Sequence, residues 1–275
     1  MNTLEGKVVA LTGAASGIGR CLAIELAEKG SHLAIADVDE QGLQQTLELL
    51  PKEAKASLHI VDVSNRERVY SWADEVVKEH GHVDCIINNA GVASSMTIED
   101  ISYEDFEWVF DIVFYGVLYG TKAFLPYLKQ RPDAHIVNIS SVNGFFPFPT
   151  NGPYNCAKHA VKALNQTLLQ ELRHTSVNVT SVHPGGIKTN IVRNSRFAEG
   201  TESGEAAQKK IEGFDRMAGT TPEKAASIII KGMLKNRKRQ LVGVDAVIID
   251  LLVRLMPQGF SDLVGLRHDR AVAEN

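Results

Sequence analysis

The chain is poor in cysteine and carries no excess of positive charge, and each absence excludes a class of protein. Its three cysteines, Cys21, Cys85 and Cys156, are far apart and odd in number. This predicts reduced thiols in a cytoplasmic protein rather than a disulfide framework. The formal net charge at pH 7 is -4, so nucleic acid is not expected as a partner.

Long hydrophobic runs and metal-ligand spacings are missing as well. The first apolar run, Val8–Leu11, is short and leads directly into a glycine turn, which is typical of a first strand rather than of a signal peptide. No stretch approaches the roughly 20 apolar residues of a membrane span. His80 and His82 are the closest pair of histidines, and a surface helix end explains them better than a metal site. No bound metal is predicted.

The chain does contain a regular alternation of strand-like and helix-like segments. Seven short apolar runs rich in β-forming residues recur: Val8–Thr12, Leu33–Asp37, Leu58–Val61, Cys85–Ile87, Ile136–Ile139, Val177–Val182 and Gln240–Val242. They lack strict alternation of apolar and polar residues, as expected of parallel strands that helices cover on both faces. Helical periodicity lies between them, beginning with Gly17–Lys29. The sequence therefore predicts one α/β domain over residues 1–275, a doubly wound, Rossmann-like parallel sheet with helices on both faces.

Capping residues mark two helix starts. Ser64, followed by Glu67, has the pattern of a capping box. Thr221, followed by Pro222, places a cap and then a proline at the first helical position. Both pairs predict where a helix begins.

Residues 190–220 interrupt this rhythm because they are polar, charged and interspersed with glycine. Two interpretations are open, a mobile surface excursion and a lid over the substrate. The segment follows the sixth predicted strand, and ligands bind at the carboxyl ends of strands in open α/β sheets. Its position therefore favours a substrate lid.

Residues 245–257 predict a C-terminal apolar helix with a narrow polar stripe, Asp250 and Arg254. Such a helix must bury most of its surface, and covering the substrate pocket or a subunit partner is the favoured interpretation. Five basic residues lie between Lys231 and Arg239, and favourable charge at a helix C-terminus is their simpler explanation. Loose membrane association, aided by these charges, is the alternative.

A glycine-rich turn, Thr12–Gly19, joins the first predicted strand to the first helix. Its glycines permit a tight turn and the close approach of a phosphate and of the neighbouring strand. Backbone N–H groups and the positive helix end would then face a pyrophosphate. The spacing is G-x-x-x-G-x-G, not the G-x-G-x-x-G of the general fingerprint. The predicted dinucleotide contacts here are Gly13, Ser16, Gly17, Ile18 and Gly19.

Asp37 ends the second predicted strand, eighteen residues after Gly19. A carboxylate there can accept hydrogen bonds from the adenosine ribose hydroxyls and would repel a 2′-phosphate. No arginine or lysine follows within Val38–Gln41, and Ser16 is not basic. The pattern therefore favours NAD over NADP, the alternative being a carboxylate that merely ends a strand.

Two further strand ends carry polar or small residues. Asp62, which precedes Val63, can accept from the adenine amino group. The run Asn88–Gly91 ends the fourth strand, with small residues that allow close approach and asparagines that can lock the backbone between strands. An ordinary turn needs only part of this run, so the complete run favours a binding role. The predicted cofactor contacts here are Asp62, Val63, Asn89, Ala90 and Gly91.

Tyr154 and Lys158 are four residues apart on a predicted helix, so their side chains share one face. A nearby ammonium stabilises a phenolate and lowers the phenol pKa, which is otherwise about 10. Tyr154 would then take the hydroxyl proton as hydride leaves the carbon, while Ser141 hydrogen-bonds the substrate oxygen. Such a pair alone is more often an exposed helix face. Because Asn138–Ser141 closes a strand shortly before it, catalysis by Ser141, Tyr154 and Lys158 is favoured, with Tyr154 and Lys158 also contacting the cofactor.

These motifs resemble the short-chain dehydrogenase/reductase family, in its single-domain branch, over roughly Leu4–Val242. The resemblance implies a seven-stranded parallel sheet. It also implies a homodimer or homotetramer built on long helices around Asp105–Leu128 and Tyr154–Arg173. The matching segment Pro184–Thr189 would lie over the nicotinamide. The cofactor contacts that it adds are Pro184, Gly185, Ile187 and Thr189.

Val113 departs from the family pattern, which usually has an asparagine here that helps to hold a water chain to the lysine. Valine can neither donate nor accept a hydrogen bond at this position. Two hypotheses are open. Either backbone groups or a neighbour such as Asp111 or Ser94 keep the water in place, or the enzyme is slowed.

Three phenylalanines and two prolines lie between Ser141 and Tyr154: Phe145, Phe146, Pro147, Phe148 and Pro149. Core packing is their simplest role, but some are expected to line an apolar pocket. We therefore predict an NAD-dependent short-chain alcohol dehydrogenase or carbonyl reductase for a hydrophobic secondary alcohol and its ketone. A non-catalytic NAD-binding or regulatory protein is the first alternative, and an epimerase or dehydratase is the second.

Overall fold

The computed structural model describes Met1 and residues 3–197 and 204–273. The strands in these ranges are β1 Val8–Thr12, β2 His32–Asp37, β3 Ala56–Ile60, β4 Cys85–Asn88, β5 Ser94–Ser95, β6 Ala134–Ile139, β7 Val177–Pro184, β8 Arg196–Phe197 and β9 Arg239–Val242. The α-helices are α1 Gly17–Glu28, α2 Glu40–Glu48, α3 Arg66–His80, α4 Tyr103–Phe110, α5 Gly116–Leu128, α6 Gly152–Glu171, α7 Glu205–Met217, α8 Pro222–Leu234, α9 Val244–Leu255 and α10 Pro257–Ala273.

Seven strands form one parallel sheet in the order β3-β2-β1-β4-β6-β7-β9. Each of the seven runs predicted from the sequence is one of these strands, and the predicted sheet is confirmed. The strand order reverses between β1 and β4. In such sheets the crevice at the carboxyl ends of the two strands is where ligands bind.

Period-two side-chain alternation divides the core between the two faces of the sheet. In β1, Val9 and Leu11 face one cluster, while Val8 and Ala10 face the other. Helices α1 and α8 pack together on the first side, and α3 and α5 pack together on the second. Both faces of β1 are therefore covered, which is why its sequence is continuously apolar.

Of the two predicted helix starts, one is confirmed and one is wrong. The Thr221 hydroxyl accepts a hydrogen bond from the backbone of Lys224 and caps α8. Helix α3 begins one residue later than Ser64 predicts, because Asn65 caps it by accepting from the Arg68 N–H at 3.0 Å. The Ser64 hydroxyl instead donates to Asp62 at 2.7 Å.

Helices α4 and α5 are joined through a π-helical turn, Asp111–Tyr115, into one continuous helix, Tyr103–Leu128. By length and composition alone this 26-residue helix could cross a membrane. The expectation that no stretch reaches that length therefore needs correction. Packing gives the simpler explanation, because α5 lies against α3 and α4 lies against α6.

The described part of the predicted lid is docked on the domain. Strand β8 pairs in parallel with β5. The Arg196 guanidinium lies 3.7 Å from the centre of the Trp108 ring, and it pairs with Asp105 at 2.8 Å. Helix α7 follows within the same segment. Residues 198–203 of the predicted lid lie outside the described residues, and a lid role stays a prediction.

The predicted apolar helix is α9. Contrary to the expectation, this helix does not bury most of its surface against the rest of its own chain. Ala246 is its fully buried residue. Its large exposed apolar side chains are Val244, Val247, Ile248, Leu251 and Leu255. A partner that covers this face stays a prediction.

Candidate active site

The glycine turn between β1 and α1 depends on close backbone contacts. Gly13 and Gly17 have φ angles of 69° and 53°, in the left-handed region that favours glycine. A methyl group on Gly19 would lie 1.8 Å from the Gly13 carbonyl oxygen, so no side chain fits there. Ser16 precedes α1 and is exposed, and Gly17 lies beside the Thr189 side chain. The first turn of α1 therefore faces the crevice with its N–H groups.

The ends of β1 and β4 are locked together by side chains. The Asn89 amide donates to the carbonyl oxygens of Thr12 and Gly13 at 3.0 and 3.1 Å. In return the Thr12 hydroxyl accepts from the N–H groups of Asn89 and Ala90. Asn89 thus has the bracing role that the sequence suggested, and Ala90 and Gly91 continue along the crevice.

Asp37 ends β2, and Asp62 follows the neighbouring strand, β3, at the same edge of the sheet. One Asp37 oxygen accepts from the Ala15 N–H in the glycine turn at 3.0 Å. Its other oxygen accepts from the Val38 N–H at 2.8 Å. Asp62 is exposed, and Val63 is buried against Gly116. Both carboxylates lie at the carboxyl ends of their strands, and their contact with the adenosine half of a dinucleotide stays a prediction.

The segment Pro184–Thr189 leaves β7 toward the same crevice. Ile187 forms a parallel bridge with Thr220. At the start of α9, the Asp245 carboxylate accepts from the Gly186 N–H at 2.6 Å. A methyl group on Gly185 would lie only 2.1 Å from that carboxylate. Helix α9 thus holds this loop, a role that the sequence did not indicate.

Ser141 follows β6 and caps a short 3₁₀ helix, Val142–Gly144. Its hydroxyl accepts from the Asn143 N–H at 3.1 Å and donates to the Asn143 side chain at 3.2 Å. Asn143 in turn donates to Asn155 at 2.7 Å, and Asn155 donates to the Phe148 carbonyl oxygen. These bonds tie the loop after Ser141 to α6, where Tyr154 lies.

Tyr154 and Lys158 share one face of α6, with the Lys158 Nζ 5.4 Å from the centre of the phenol ring. Lys158 is 3% exposed, and its ammonium donates to the Ile139 carbonyl oxygen at 2.8 Å. Burial lowers the pKa of Lys158 to about 7. Burial raises the pKa of Tyr154 to about 12, and the neighbouring Ser141 hydroxyl acts in the opposite direction. The expected lowering of the Tyr154 pKa is therefore not found in the protein by itself, where burial sets the direction of the shift.

Comparison with known proteins identifies this arrangement. A family model described as short chain dehydrogenase matches residues 7–200. The putative oxidoreductase SadH of Mycobacterium tuberculosis is 44% identical over 269 residues, which cover 96% of each chain. The chain belongs to the short-chain dehydrogenase/reductase family.

Solved structures of the family share the whole architecture. A short-chain dehydrogenase/reductase from Burkholderia phymatum in complex with NAD is 30% identical, covers 100% of this chain and 97% of its own, and has a TM-score of 0.82. A short chain dehydrogenase from Mycobacterium paratuberculosis bound to NAD is 26% identical and has a TM-score of 0.75. The match covers 87% of this chain and 97% of that protein. Levodione reductase is 25% identical and has a TM-score of 0.79. The match covers 91% of this chain and 99% of that protein.

Val113, the departure from the short-chain dehydrogenase/reductase pattern, lies in the π-helical turn and is fully buried in an apolar cluster with Val109 and Ala157. A methyl group on Gly91 would lie 3.8 Å from the Lys158 Nζ and 4.0 Å from Val113. Gly91 therefore lies close to both Val113 and Lys158. The two neighbours considered as replacements for the asparagine differ in burial. Asp111 is exposed. Ser94 is buried, and its hydroxyl has no hydrogen-bond partner among the described residues.

Two of the phenylalanines expected near the substrate have packing roles. The Phe145 ring lies 5.5 Å from that of His183, and the Arg239 guanidinium lies 5.1 Å from the centre of the Phe145 ring. Phe146 is buried and packs on Phe260 of α10 at 4.5 Å. The packing interpretation therefore fits these two rings. Phe148 also packs edge-on against Phe146 at 5.0 Å, but Phe148 and Pro149 remain partly exposed.

Proposed function

We propose that this protein is an NAD-dependent oxidoreductase that interconverts a hydrophobic secondary alcohol and its ketone by hydride transfer. The observation that carries the proposal is the position of Ser141, Tyr154 and Lys158. Ser141 follows the carboxyl end of β6, and the Lys158 Nζ donates to the Ile139 carbonyl oxygen at that end. Lys158 also lies near Gly91, and the adjoining Asn89 donates to the glycine turn. This geometry puts a proton donor and acceptor beside a site suited to a dinucleotide.

The crevice fits a dinucleotide on its own geometry. The turn at Gly13–Gly19 leaves the N-terminus of α1 open to a pyrophosphate, and Asp37 suits two ribose hydroxyls better than a 2′-phosphate. Pro184–Thr189 borders the crevice from the opposite side. Structural relatives with NAD bound support NAD as the cofactor, which, when bound, would accept or supply the hydride.

Within the site, Tyr154 takes the proton of the alcohol during oxidation and returns it during reduction. Ser141 donates a hydrogen bond to the substrate oxygen and stabilises its developing charge. Lys158 lies behind the phenol ring, where its charge favours the phenolate. Its ammonium also faces the crevice close to Gly91, where it would hold the nicotinamide ribose.

An apolar substrate fits the surroundings of these groups. Phe148 and Pro149, which lie between Ser141 and Tyr154 in the sequence, are partly exposed, and Val92 and Tyr154 pack against the same apolar cluster. The segment 190–220 would close over this side as a lid, with Arg196 docked on Trp108. Turnover of a polyol as fast as that of a medium-chain ketone would contradict an apolar pocket.

We propose that the single domain assembles as a homodimer or homotetramer. The outer surface between α3 and α5 contains a cavity of about 560 Å³. Three tyrosines line it, Tyr70, Tyr115 and Tyr119. Aromatic residues are enriched in protein interfaces, and α5 belongs to the helix on which the family resemblance predicts subunit contacts.

The test is the absorbance of reduced nicotinamide when the purified protein meets NAD or NADP with a panel of secondary alcohols. We expect NAD to be reduced and Tyr154→Phe to lower kcat by about 10²–10⁴-fold. Tyr103→Phe is the matched control, since Tyr103 is 88% exposed at the start of α4, and it should leave kcat unchanged. Equal rates for the Tyr154→Phe variant and the wild type would contradict the assignment.

A non-catalytic NAD-binding protein is the second candidate, and the buried, apolar Val113 at the position where the family usually has an asparagine is the observation that favours it. Tight NAD binding without turnover of any alcohol, or of any ketone with NADH, would support it. Restoring turnover by Val113→Asn would then show that valine had silenced an otherwise complete site.

A further inference from the structure

A chain of buried hydrogen bonds crosses the sheet and reaches the backbone of Ser141. It begins on β4, where the Asn88 amide donates to Asn138 on β6 at 2.7 Å. The Asn138 amide donates to Asn165 on α6 at 2.8 Å, and the Asn165 amide donates to the Ser181 hydroxyl on β7 at 3.0 Å. Each of these four polar side chains is at most 5% exposed.

His183 completes this chain. Its Nε2 lies 2.9 Å from the Ser181 hydroxyl, and its Nδ1 lies 3.0 Å from the Ser141 carbonyl oxygen. A carbonyl oxygen can only accept, so Nδ1 must carry the hydrogen and donate it. The neutral ring then leaves Nε2 as an acceptor for the Ser181 O–H. The Ser181 oxygen remains free to accept from Asn165. All five hydrogen bonds then run from donor to acceptor in the same direction along the chain of side chains, from Asn88 to the Ser141 carbonyl oxygen.

The surroundings keep this arrangement fixed. His183 is 1% exposed, and the Phe145 ring covers it. Burial is the main reason why the pKa of His183 is lowered to about 4, so the ring is neutral at physiological pH. The charged groups nearest to it are Arg239, Lys162 and Asp250. Aligned donors and acceptors polarise one another in a medium of low dielectric constant, which strengthens the last bond.

We propose that His183 is a positioning residue that holds the Ser141 carbonyl group and thereby aims the Ser141 hydroxyl at the substrate oxygen. The inference rests on the proposed function, in which Ser141 contacts the substrate. The other donor to this carbonyl is the Gly144 N–H at 3.0 Å, within a 3₁₀ helix of only three residues. Without His183, the Gly144 N–H would be the remaining donor to this carbonyl among the described residues, and the Ser141 hydroxyl would depend on its contacts with Asn143, a residue of the same short 3₁₀ helix.

Three substitutions separate a positioning role from simple packing. His183→Phe keeps an aromatic ring under Phe145 but has no donor. His183→Asn places an amide nitrogen near the position of Nδ1, whereas His183→Gln places it near Nε2. For alcohol oxidation with NAD we expect kcat to fall about tenfold in the Phe and Gln variants and to stay within about threefold of the wild type in the Asn variant. KM for NAD should change by less than about twofold in all three.

His135 provides a matched control because it is also a buried histidine on a central strand, with a hydrogen bond to Thr180. It lies at the opposite end of β6 from Ser141. His135→Phe should lower the melting temperature as His183→Phe does, but leave kcat unchanged. A similar loss of kcat in all three His183 variants, an unchanged kcat in His183→Phe, or an equal loss in His135→Phe would overturn the proposal.

A second measurement does not need turnover. In a long-range ¹H–¹⁵N spectrum of histidine-labelled protein, the signals missing from His183→Phe belong to His183. At pH 7 they should show a hydrogen on Nδ1 and none on Nε2. A hydrogen on Nε2 would overturn the proposal even if the protein turned over alcohol, whereas a wild type without turnover but with the Nδ1 form would contradict the proposed function alone.

Discussion

Moderate acid should destabilise the protein through its buried histidines. Burial lowers the pKa of His183 to about 4 and, together with the N-terminal ammonium group, that of His135 to about 3. In the unfolded chain both rings titrate near pH 6.5. Between these values the unfolded state binds protons that the folded state excludes, so stability rises with pH and is lost as the pH falls below about 6.5.

The size of the effect follows from the two pKa values. Lowering the pH from 7 to 5 should cost about 2 kcal/mol for each ring, and about 4 kcal/mol for the pair. His59 and His80, whose pKa values burial also lowers, act in the same direction. Carboxylates contribute little in this range because they titrate near pH 4 in the unfolded chain. The loss is a large part of the roughly 5–15 kcal/mol that stabilises a typical domain.

The assay is urea unfolding followed by circular dichroism at pH 7 and pH 5, at equal salt and protein concentration. His135→Leu should lose about 2 kcal/mol less than the wild type between the two pH values. His174→Gln is the control, because His174 is exposed, and it should lose as much as the wild type. A loss below about 1 kcal/mol in the wild type, or an equal loss in His135→Leu, would refute the reasoning.

Three further predictions concern the site. Val113→Asn places a hydrogen-bonding group near Gly91 and should raise kcat about fivefold, the value of one net hydrogen bond; an unchanged rate and pH profile would remove any mechanistic weight from this position. Asp37→Ser removes a ribose acceptor and a negative charge, so kcat/KM should fall about tenfold with NAD and rise with NADP, and a fixed ratio would contradict the assigned role. Arg196→Ala removes the ion pair with Asp105 and the contact with Trp108; substrate KM should rise while the melting temperature changes little, and an unchanged KM would argue against a lid.

Sequence patterns that depend on local chemistry predicted the fold well. Buried parallel strands must be short, apolar runs, and the seven runs found in the sequence are the seven strands of the sheet. Their carboxyl ends meet at one edge, so residues as distant as Asp37 and Asn89 had to lie around one crevice. Thr221 likewise caps α8 because a hydroxyl and a following proline act within one turn.

Features that depend on which of several competing contacts forms in the folded chain could not be predicted in this way. Ser64 has the sequence of a cap, but Asp62 takes its hydroxyl and Asn65 caps the helix. The roles of Asp245 and His183 depend on contacts with the distant segments that contain Gly186 and Ser141. The pattern of α9 indicated that its apolar face needs a cover, but a periodicity cannot say whether that cover lies in the same chain.

The catalytic pair shows most clearly what spacing leaves undecided. Four-residue spacing places Tyr154 and Lys158 on one face of α6 but says nothing about their solvation. Burial favours the neutral form of each group, raising the pKa of the phenol to about 12 and lowering that of the ammonium to about 7. Burial therefore works against the positive charge on Lys158 that would stabilise a phenolate. It follows that proximity alone does not make Tyr154 a base, and that its activation requires positive charge to be favoured within the crevice.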